Sequence, residues 1–220
     1  MIMRIEKPGT ISNDMLSRCK IPVEGLGWLL AASLLCSCLE ANTESAAQTW
    51  LQNPWTGETR LVPVSAPDFT LWDESQVLDY QAALSEKYAP PLAVLTIDEL
   101  GIEVPVFNGT EERVLDRGAG RIKGMARPDE AGNLGIAAHR DSFFRGLKDI
   151  RTGVEVLLRS PGAVEKYRVT DIRIVEKDDI SVLAPTDDKR LTLVTCYPFY
   201  YEGSAPKRYI VTAEAVGPVQ

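Results

Sequence analysis

The chain has 220 residues, of which 45% are hydrophobic and 25% are charged, and these proportions are typical of a globular protein with one well-buried core. A formal net charge of −7 excludes a general affinity for nucleic acid or anionic lipid, because both require clustered Lys and Arg side chains. We therefore expect one folded domain with an appended segment, and no nucleic-acid partner.

The first 39 residues have the pattern of a membrane-targeting segment. Four basic residues precede an uncharged apolar run at 25–39. We expect 1–24 to form a cytoplasmic tail, 25–39 a single membrane anchor helix in the cell membrane, and everything beyond to be extracytoplasmic. The run is shorter than the roughly 20 residues that span a bilayer comfortably, so a cleaved signal peptide fits as well. A lipoprotein with its lipid on Cys38 is a third alternative.

Two segments separate the apolar run from the main body of the chain. Residues 40–69 are rich in Ala, Thr, Ser and Pro and lack sustained periodicity, which predicts an extracytoplasmic tether. Residues 70–88 start with a capping-box pattern at Thr70 and Asp73 and continue with apolar residues near helical spacing. We expect an amphipathic helix there, packed on the outside of the domain and ended by two prolines.

From residue 89 to 217 the pattern changes to short β-like runs. Apolar and polar residues alternate most clearly at 102–106 and 209–213, as a strand with one buried face requires. Only short helices fit between the runs, at 111–117 and 143–148, and this disfavours a doubly wound parallel sheet. We expect a mainly β fold with a closed, antiparallel-rich barrel. The seven predicted strands are 92–97, 102–107, 133–139, 154–159, 167–175, 191–195 and 207–216.

Cysteine and histidine are scarce beyond the apolar run. Cys196 is the only cysteine after Cys38, and His139 is the only histidine of the chain. Each lies at the C-terminal end of a predicted strand, so a barrel could bring both to one rim. A thiolate nucleophile with an imidazole that takes and returns its proton would form a catalytic pair. A buried structural cysteine and an ordinary histidine are the alternatives.

Arg208 is a third candidate. It starts the last predicted strand after an aromatic and Pro-rich loop at 197–206, so it lies near the same rim if that loop folds back. Its permanent charge and forked guanidinium suit it to bind an oxygen that becomes negative during acyl transfer. An ordinary surface charge is the alternative.

Several stretches of the chain resemble the sortase family, particularly its class D branch. The most specific is Thr-Leu-x-Thr-Cys, which ends at Cys196 and is followed twelve residues later by Arg208. The resemblance implies an eight-stranded sortase β-barrel, one strand more than the pattern predicts, with His139, Cys196 and Arg208 as catalytic residues. The similar stretches are TIDELGIEVPV at 96–106, GNLGIAAHRDSFFRGLKDI at 132–150 and TLVTCYPFYYEGSAPKRYIV at 192–211, preceded by an anchor and a tether.

The resemblance also implies a cysteine transpeptidase. It would cleave a Leu-Pro-x-Thr-Gly-like sorting signal through a thioester on Cys196 and transfer the protein to an amine at the cell envelope. Its partners would be proteins with a C-terminal sorting signal, an amine acceptor and the membrane. Asp141 is a candidate to orient His139 or to pair with Arg140. The candidate substrate contacts beside the catalytic residues are Thr195, Ala138, Val194, Tyr197 and Ala137, each of which could equally belong to the core.

No cofactor is expected. Some sortases use Ca²⁺, which needs a cluster of oxygen ligands. Adjacent aspartates on a strand point in different directions, so we interpret the acidic pairs at 178–179 and 187–188 as solvated turns. Two other functions remain as alternatives, a non-catalytic membrane-tethered β-barrel that binds partner proteins and a caspase-like protease. The caspase-like order of His before Cys is present, but its cysteine motif is absent.

Overall fold

The computed structural model describes residues 47–201 and 203–218. The predicted tail and apolar segment at 1–39 lie outside the described residues. Within the described residues, no helix is long and apolar enough to cross a membrane.

The described chain is built mainly from strands. The α-helices are α1 (Glu74–Ser85) and α2 (Glu112–Leu115), and 3₁₀ helices cover Phe69–Leu71, Asp98–Leu100, Arg145–Asp149 and Ser181–Leu183. The strands, in chain order, are β1 (Ala47–Gln52), β2 (Thr59–Val64), β3 (Ala93–Ile97), β4 (Ile102–Asn108), β5 (Ala119–Arg121), β6 (Asn133–Ala137), β7 (Glu155–Arg159), β8 (Val164–Glu176), β9 (Arg190–Tyr197) and β10 (Lys207–Pro218).

Eight of these strands close into a barrel in the order β10-β8-β7-β3-β4-β5-β6-β9. The pairs β4–β5 and β6–β9 are parallel and the others are antiparallel. The expected closed eight-stranded barrel is confirmed, and the strand that the pattern missed is β5. It has only three residues, and a Cβ at Gly120 would lie 2.0 Å from the carbonyl oxygen of Gly109. A strand this short, with a glycine required by close backbone approach, carries no apolar alternation.

The barrel interior is filled by side chains from alternate positions of the strands. Leu191 and Leu193 of β9 are fully buried in this core, next to Val211 of β10. Because successive side chains of a strand point to opposite faces, Val194 and Cys196 face the outside of the barrel.

Residues 47–64, which lie within the tether predicted over 40–69, form the hairpin β1–β2. Leu51 and Val62 are buried against Val94 of the barrel, and the Gln52 N–H donates a 2.9 Å hydrogen bond to the carbonyl of Pro91. The hairpin is ordered because the barrel supplies the apolar surface that it covers. The part of the predicted tether at 40–46 lies outside the described residues.

The helix predicted over 70–88 is present as α1. Its N-cap is Asp73, which forms a capping box with Gln76, rather than Thr70. Trp72 and Tyr80 pack edge-on against Phe143, at centroid distances of 4.8 and 6.0 Å. The helix therefore supports the segment that follows β6. The two short helices predicted between strands correspond to α2 and to the 3₁₀ helix Arg145–Asp149.

Candidate active site

Cys196 and Arg208 lie directly opposite each other on the antiparallel strands β9 and β10. Opposed residues of an antiparallel pair point to the same face, with Cβ atoms about 4.5–5.5 Å apart. Both side chains are therefore on the outer face of the barrel, where the Cys196 thiol is free and partly exposed. A cation beside a thiol is the arrangement that acyl transfer needs around the attacked carbonyl.

The Arg208 guanidinium is held by the chain that leads into β10. Its Nη1 donates to the carbonyls of Ala205 (3.2 Å) and Lys207 (2.9 Å), and Arg208 forms no ion pair with any described residue. Nε and Nη2 donate to no described partner. These two nitrogens are the donors left for a substrate oxygen.

The parallel pairing of β6 with β9 brings His139 to the same rim. The last pair of the ladder is Ala137 with Val194, and His139 and Cys196 each come two residues later in their own segments. The strands stay linked beyond β6, because Thr195 Oγ1 donates to the Ala138 carbonyl at 2.8 Å. No hydrogen bond between described residues joins the Cys196 thiol to the ring, and such contacts often form only when substrate is bound.

The His139 ring lies on the wall of a pocket of about 240 Å³ between α1, α2 and the segment after β6. Its Nε2 is 3.6 Å from Oδ1 of Asp116. Asp141, the predicted orienting residue, lines the same pocket but makes no hydrogen bond or ion pair with His139 in the described chain. The carboxylate that faces the ring is thus Asp116, which the sequence analysis missed because it is distant from His139 in the chain.

Arg140 connects the segment of His139 to the loop between Cys196 and Arg208. Arg140 is 8% exposed, and its guanidinium donates to the carbonyls of Tyr201 (2.5 Å) and Gly203 (3.1 Å). The predicted pairing of Arg140 with Asp141 is not present, because backbone carbonyls occupy the guanidinium. Arg140 therefore fixes the loop from which β10 starts.

An apolar row crosses three strands next to the candidate catalytic residues. Ala137, Val194 and Ile210 are neighbours on β6, β9 and β10, on the same outer face as Cys196. One side of this row is flanked by Met125, whose Sδ is 2.3 Å from where a Cβ of Gly135 would lie. Ala137 and Val194 are partly exposed and form an apolar floor with a wall, whereas Ile210 is buried and packs beside them.

A second wall is the 3₁₀ segment between β8 and β9. Asn133 Nδ2 donates to the carbonyls of Val182 (3.3 Å) and Ala184 (3.1 Å), and Asn133 Oδ1 accepts a 2.7 Å bond from Thr192. Both Asn133 and Thr192 are buried. Their side chains hold this wall over the outer face of β6 and β9.

The expected substrate contacts divide between the two faces. Val194 lies on the outer face, whereas Thr195 and Ala138 point into the barrel and are buried. Tyr197 stacks on Tyr209, with centroids 6.2 Å apart, in an aromatic cluster that packs on the core. The geometry corrects the expectation for Thr195 and Ala138, since a side chain inside a filled barrel is separated from the outer face by the strand itself.

The acidic pairs considered as Ca²⁺ ligands lie around the 3₁₀ segment Ser181–Leu183. The Asp179 carboxylate accepts hydrogen bonds from the N–H (3.0 Å) and the hydroxyl (2.6 Å) of Ser181, and these bonds lower the pKa of Asp179. Among the described residues, no group of three or more His, Cys, Asp or Glu side chains could hold a metal ion. Asp179 thus has a local role as a turn cap.

Residues 95–216 match a family model described as a sortase domain. Sortase D of Bacillus subtilis (strain 168) is 36% identical over 124 residues, which cover 56% of this chain and 63% of that protein. Sortase A of Streptococcus agalactiae is 29% identical over 134 residues, covering 57% of this chain and 53% of that protein. The chain thus covers less than two thirds of the length of either relative.

Solved structures share the fold. A Clostridium perfringens Sortase D5 transpeptidase superposes with a TM-score of 0.54 and 26% identity, covering 66% of this chain and 91% of that one. Sortase E1 from Streptomyces coelicolor, with a tripeptide in its active site, gives a TM-score of 0.53 and 28% identity, covering 58% and 89%.

Proposed function

The chain belongs to the sortase family, and we propose that it is a cysteine transpeptidase that cuts a sorting signal of another protein and joins that protein to an amine. The observation that carries the proposal is the cross-strand pair of Cys196 and Arg208, with His139 at the same rim. Neither the comparisons nor the fold favour a binding module or a caspase-like protease.

In the first half-reaction, the Cys196 thiol gives its proton to His139 and the thiolate attacks the carbonyl carbon of the scissile peptide bond. Arg208 stabilises the negative oxygen of the tetrahedral intermediate through Nε and Nη2. The C–N bond then breaks, and His139 returns the proton to the leaving amine. The product is a thioester on Cys196.

In the second half-reaction, an acceptor amine attacks the thioester carbon. The new C–N bond forms, the C–S bond breaks, and the proton lost by the amine reaches the Cys196 sulfur through His139. Water in place of the amine gives hydrolysis. The same three residues therefore serve both half-reactions.

The outer-face floor of Ala137 and Val194, with Ile210 packed beside it, suits the Leu and Pro of a Leu-Pro-x-Thr-Gly-like signal. Apolar side chains gain free energy from leaving water for such a surface. The tripeptide in the active site of the Streptomyces coelicolor relative supports a peptide substrate. The substrate would enter between the two walls formed by Met125 and by the segment at 182–184.

We also propose that residues 25–39 anchor the chain in the cell membrane with the catalytic domain outside, and that no metal cofactor is needed. Basic residues before the apolar run support this orientation. A protease-protection assay on cells tests the first point. Turnover that is unchanged by EDTA supports the second, and turnover restored by added Ca²⁺ would contradict it.

The test of the proposed activity is cleavage of a fluorogenic Leu-Pro-x-Thr-Gly-like peptide library by the full chain, with and without an amine. Cys196→Ala is expected to abolish both cleavage and amine adducts, whereas Cys19→Ala, which changes a cysteine ahead of the apolar run, keeps both. A mass spectrum of the trapped acyl-enzyme locates the thioester. Peptide cleavage by Cys196→Ala would contradict the proposal.

A further inference from the structure

Asp116 is the acidic residue that the His139 imidazole faces. The Nε2 to Oδ1 distance is 3.6 Å, and the two side chains are 39% and 25% exposed. This distance is longer than a hydrogen bond but within ion-pair range, and catalytic contacts of this length often tighten when substrate binds. Asp116 can therefore act on the ring directly.

The backbones of both partners are held in place. Asp116 is the C-cap of α2, where its N–H donates a 2.9 Å bond to the carbonyl of Glu112, and the next residue, Arg117, is buried. On the other side, the carbonyl of His139 accepts a 3.0 Å bond from the Phe144 N–H. The contact thus joins two side chains whose backbone segments are both anchored.

The charges around the contact favour a cation on the ring. The pKa of Asp116 lies above its ordinary value, because burial raises it most and the carboxylates of Asp79 and Glu112 add to the rise, whereas a protonated His139 lowers it. An ionised Asp116 is therefore stabilised when the neighbouring imidazole carries a proton, as it does during the proposed reaction. No Lys or Arg lines the pocket, whose acidic residues are Asp73, Asp79, Glu112, Asp116 and Asp141.

We propose that Asp116 positions His139 for the proposed transpeptidation: its carboxylate accepts Nε2–H, leaves Nδ1 to exchange protons with thiol and amine, and stabilises the imidazolium. The inference rests on the proposed function, because it assigns a role within that reaction. Asp141 lines the same pocket but forms no hydrogen bond or ion pair with the ring among the described residues. It is therefore the matched control.

The kinetic test compares Asp116→Asn, Asp116→Glu and Asp141→Asn in the full chain. Asp116→Asn is expected to lower kcat for peptide cleavage about tenfold or more, with KM and the thermal midpoint little changed. The loss should be smaller than the roughly 10⁴-fold effect of a buried triad aspartate, because this carboxylate is partly exposed. Asp116→Glu recovers part of kcat by restoring the charge. An unchanged kcat in Asp116→Asn, or an equal loss in Asp141→Asn, overturns the proposal.

A second measurement needs no turnover. Since His139 is the only histidine, nitrogen NMR of the full chain labelled at histidine reports on this ring alone. The chemical shifts of the two ring nitrogens show which of them carries the proton, so Asp116→Asn should show less of the Nε2–H tautomer than the wild type, whereas Asp141→Asn should match the wild type. Identical ring-nitrogen shifts in Asp116→Asn and the wild type would refute the positioning role even if no peptide were cleaved, so failure here is distinguishable from failure of the proposed activity.

Discussion

Arg140 Nη2 donates a 2.5 Å hydrogen bond to the carbonyl of Tyr201, and this bond ties the residue after His139 to the loop that separates Cys196 from Arg208. A buried guanidinium satisfied by backbone carbonyls is specific in geometry, since its donors are fixed in a plane. The bond therefore couples the positions of all three candidate catalytic residues.

Arg140→Ala should loosen the loop at 198–206. The carbonyls of Tyr201 and Gly203 lose their donor, so we expect a loss of about 1–3 kcal/mol in the free energy of unfolding and a roughly tenfold fall in kcat/KM. Hydrogen exchange of the loop amides measures the loosening. Arg168→Ala is the control, because that guanidinium is exposed and bonds only to Glu155. Unchanged exchange in Arg140→Ala would contradict the coupling.

Arg208→Ala and Arg208→Lys separate charge from geometry. Loss of an oxyanion donor typically costs about 3–4 kcal/mol of transition-state stabilisation, so Arg208→Ala should lower kcat about 10²- to 10³-fold with a smaller change in KM. Lysine keeps the charge but lacks the forked donors, so Arg208→Lys should stay well below the wild type. Steady-state kinetics on the library peptide that is cleaved fastest measure kcat and KM of both variants. A wild-type kcat in Arg208→Lys would argue against a role for Nε and Nη2.

Asn133→Ala and Thr192→Val test the wall beside the apolar floor. Asn133→Ala removes both bonds to the segment at 182–184 and leaves the Thr192 hydroxyl unpaired, so we expect about 2–3 kcal/mol of destabilisation and a higher KM for the peptide. Thr192→Val removes one bond but keeps the wall attached, and should cost about 1 kcal/mol with KM unchanged. Denaturant unfolding and kinetics measure both. Equal KM values in the two variants would show that the wall does not contact substrate.

Glu103→Gln tests a carboxylate that joins the hairpin to the barrel. Although burial acts to raise its pKa, hydrogen bonds from the Ser65 N–H and Arg159 leave the pKa of Glu103 below its usual range. A carboxyl with a depressed pKa in the folded state adds stability above its ordinary pKa and loses it as pH falls. Glu103→Gln should therefore cost about 1–2 kcal/mol at neutral pH.

The control for Glu103→Gln is Glu99→Gln, which changes an exposed carboxylate. Between about pH 5 and pH 3, the free energy of unfolding of the wild type should fall more steeply than that of Glu103→Gln. Urea denaturation at several pH values measures both slopes. Parallel slopes in the wild type and Glu103→Gln would rule out the contribution.

Most barrel strands were predictable because alternation is a local property of the sequence. Residues 102–107 and 191–195 place apolar side chains on one face, and the structure uses those faces as its core. β5 and the hairpin β1–β2 were not predictable in this way. β5 is ordered by pairing with β4 and β6, and the hairpin is ordered by packing on the surface around Val94. A sequence pattern of a few residues contains no information about such partners elsewhere in the chain.

By itself, the sequence determined the candidates Cys196 and His139, because each is the only residue of its kind beyond the apolar run, and it indicated Arg208 through a family motif. Only the tertiary structure decided which carboxylate faces the ring and which side chains form the floor or pack beside it. Asp116 and Ile210 reach the site through the cap of α2 and the register of β10. Those placements depend on long-range packing and strand pairing, whereas scarcity can be read from the chain directly.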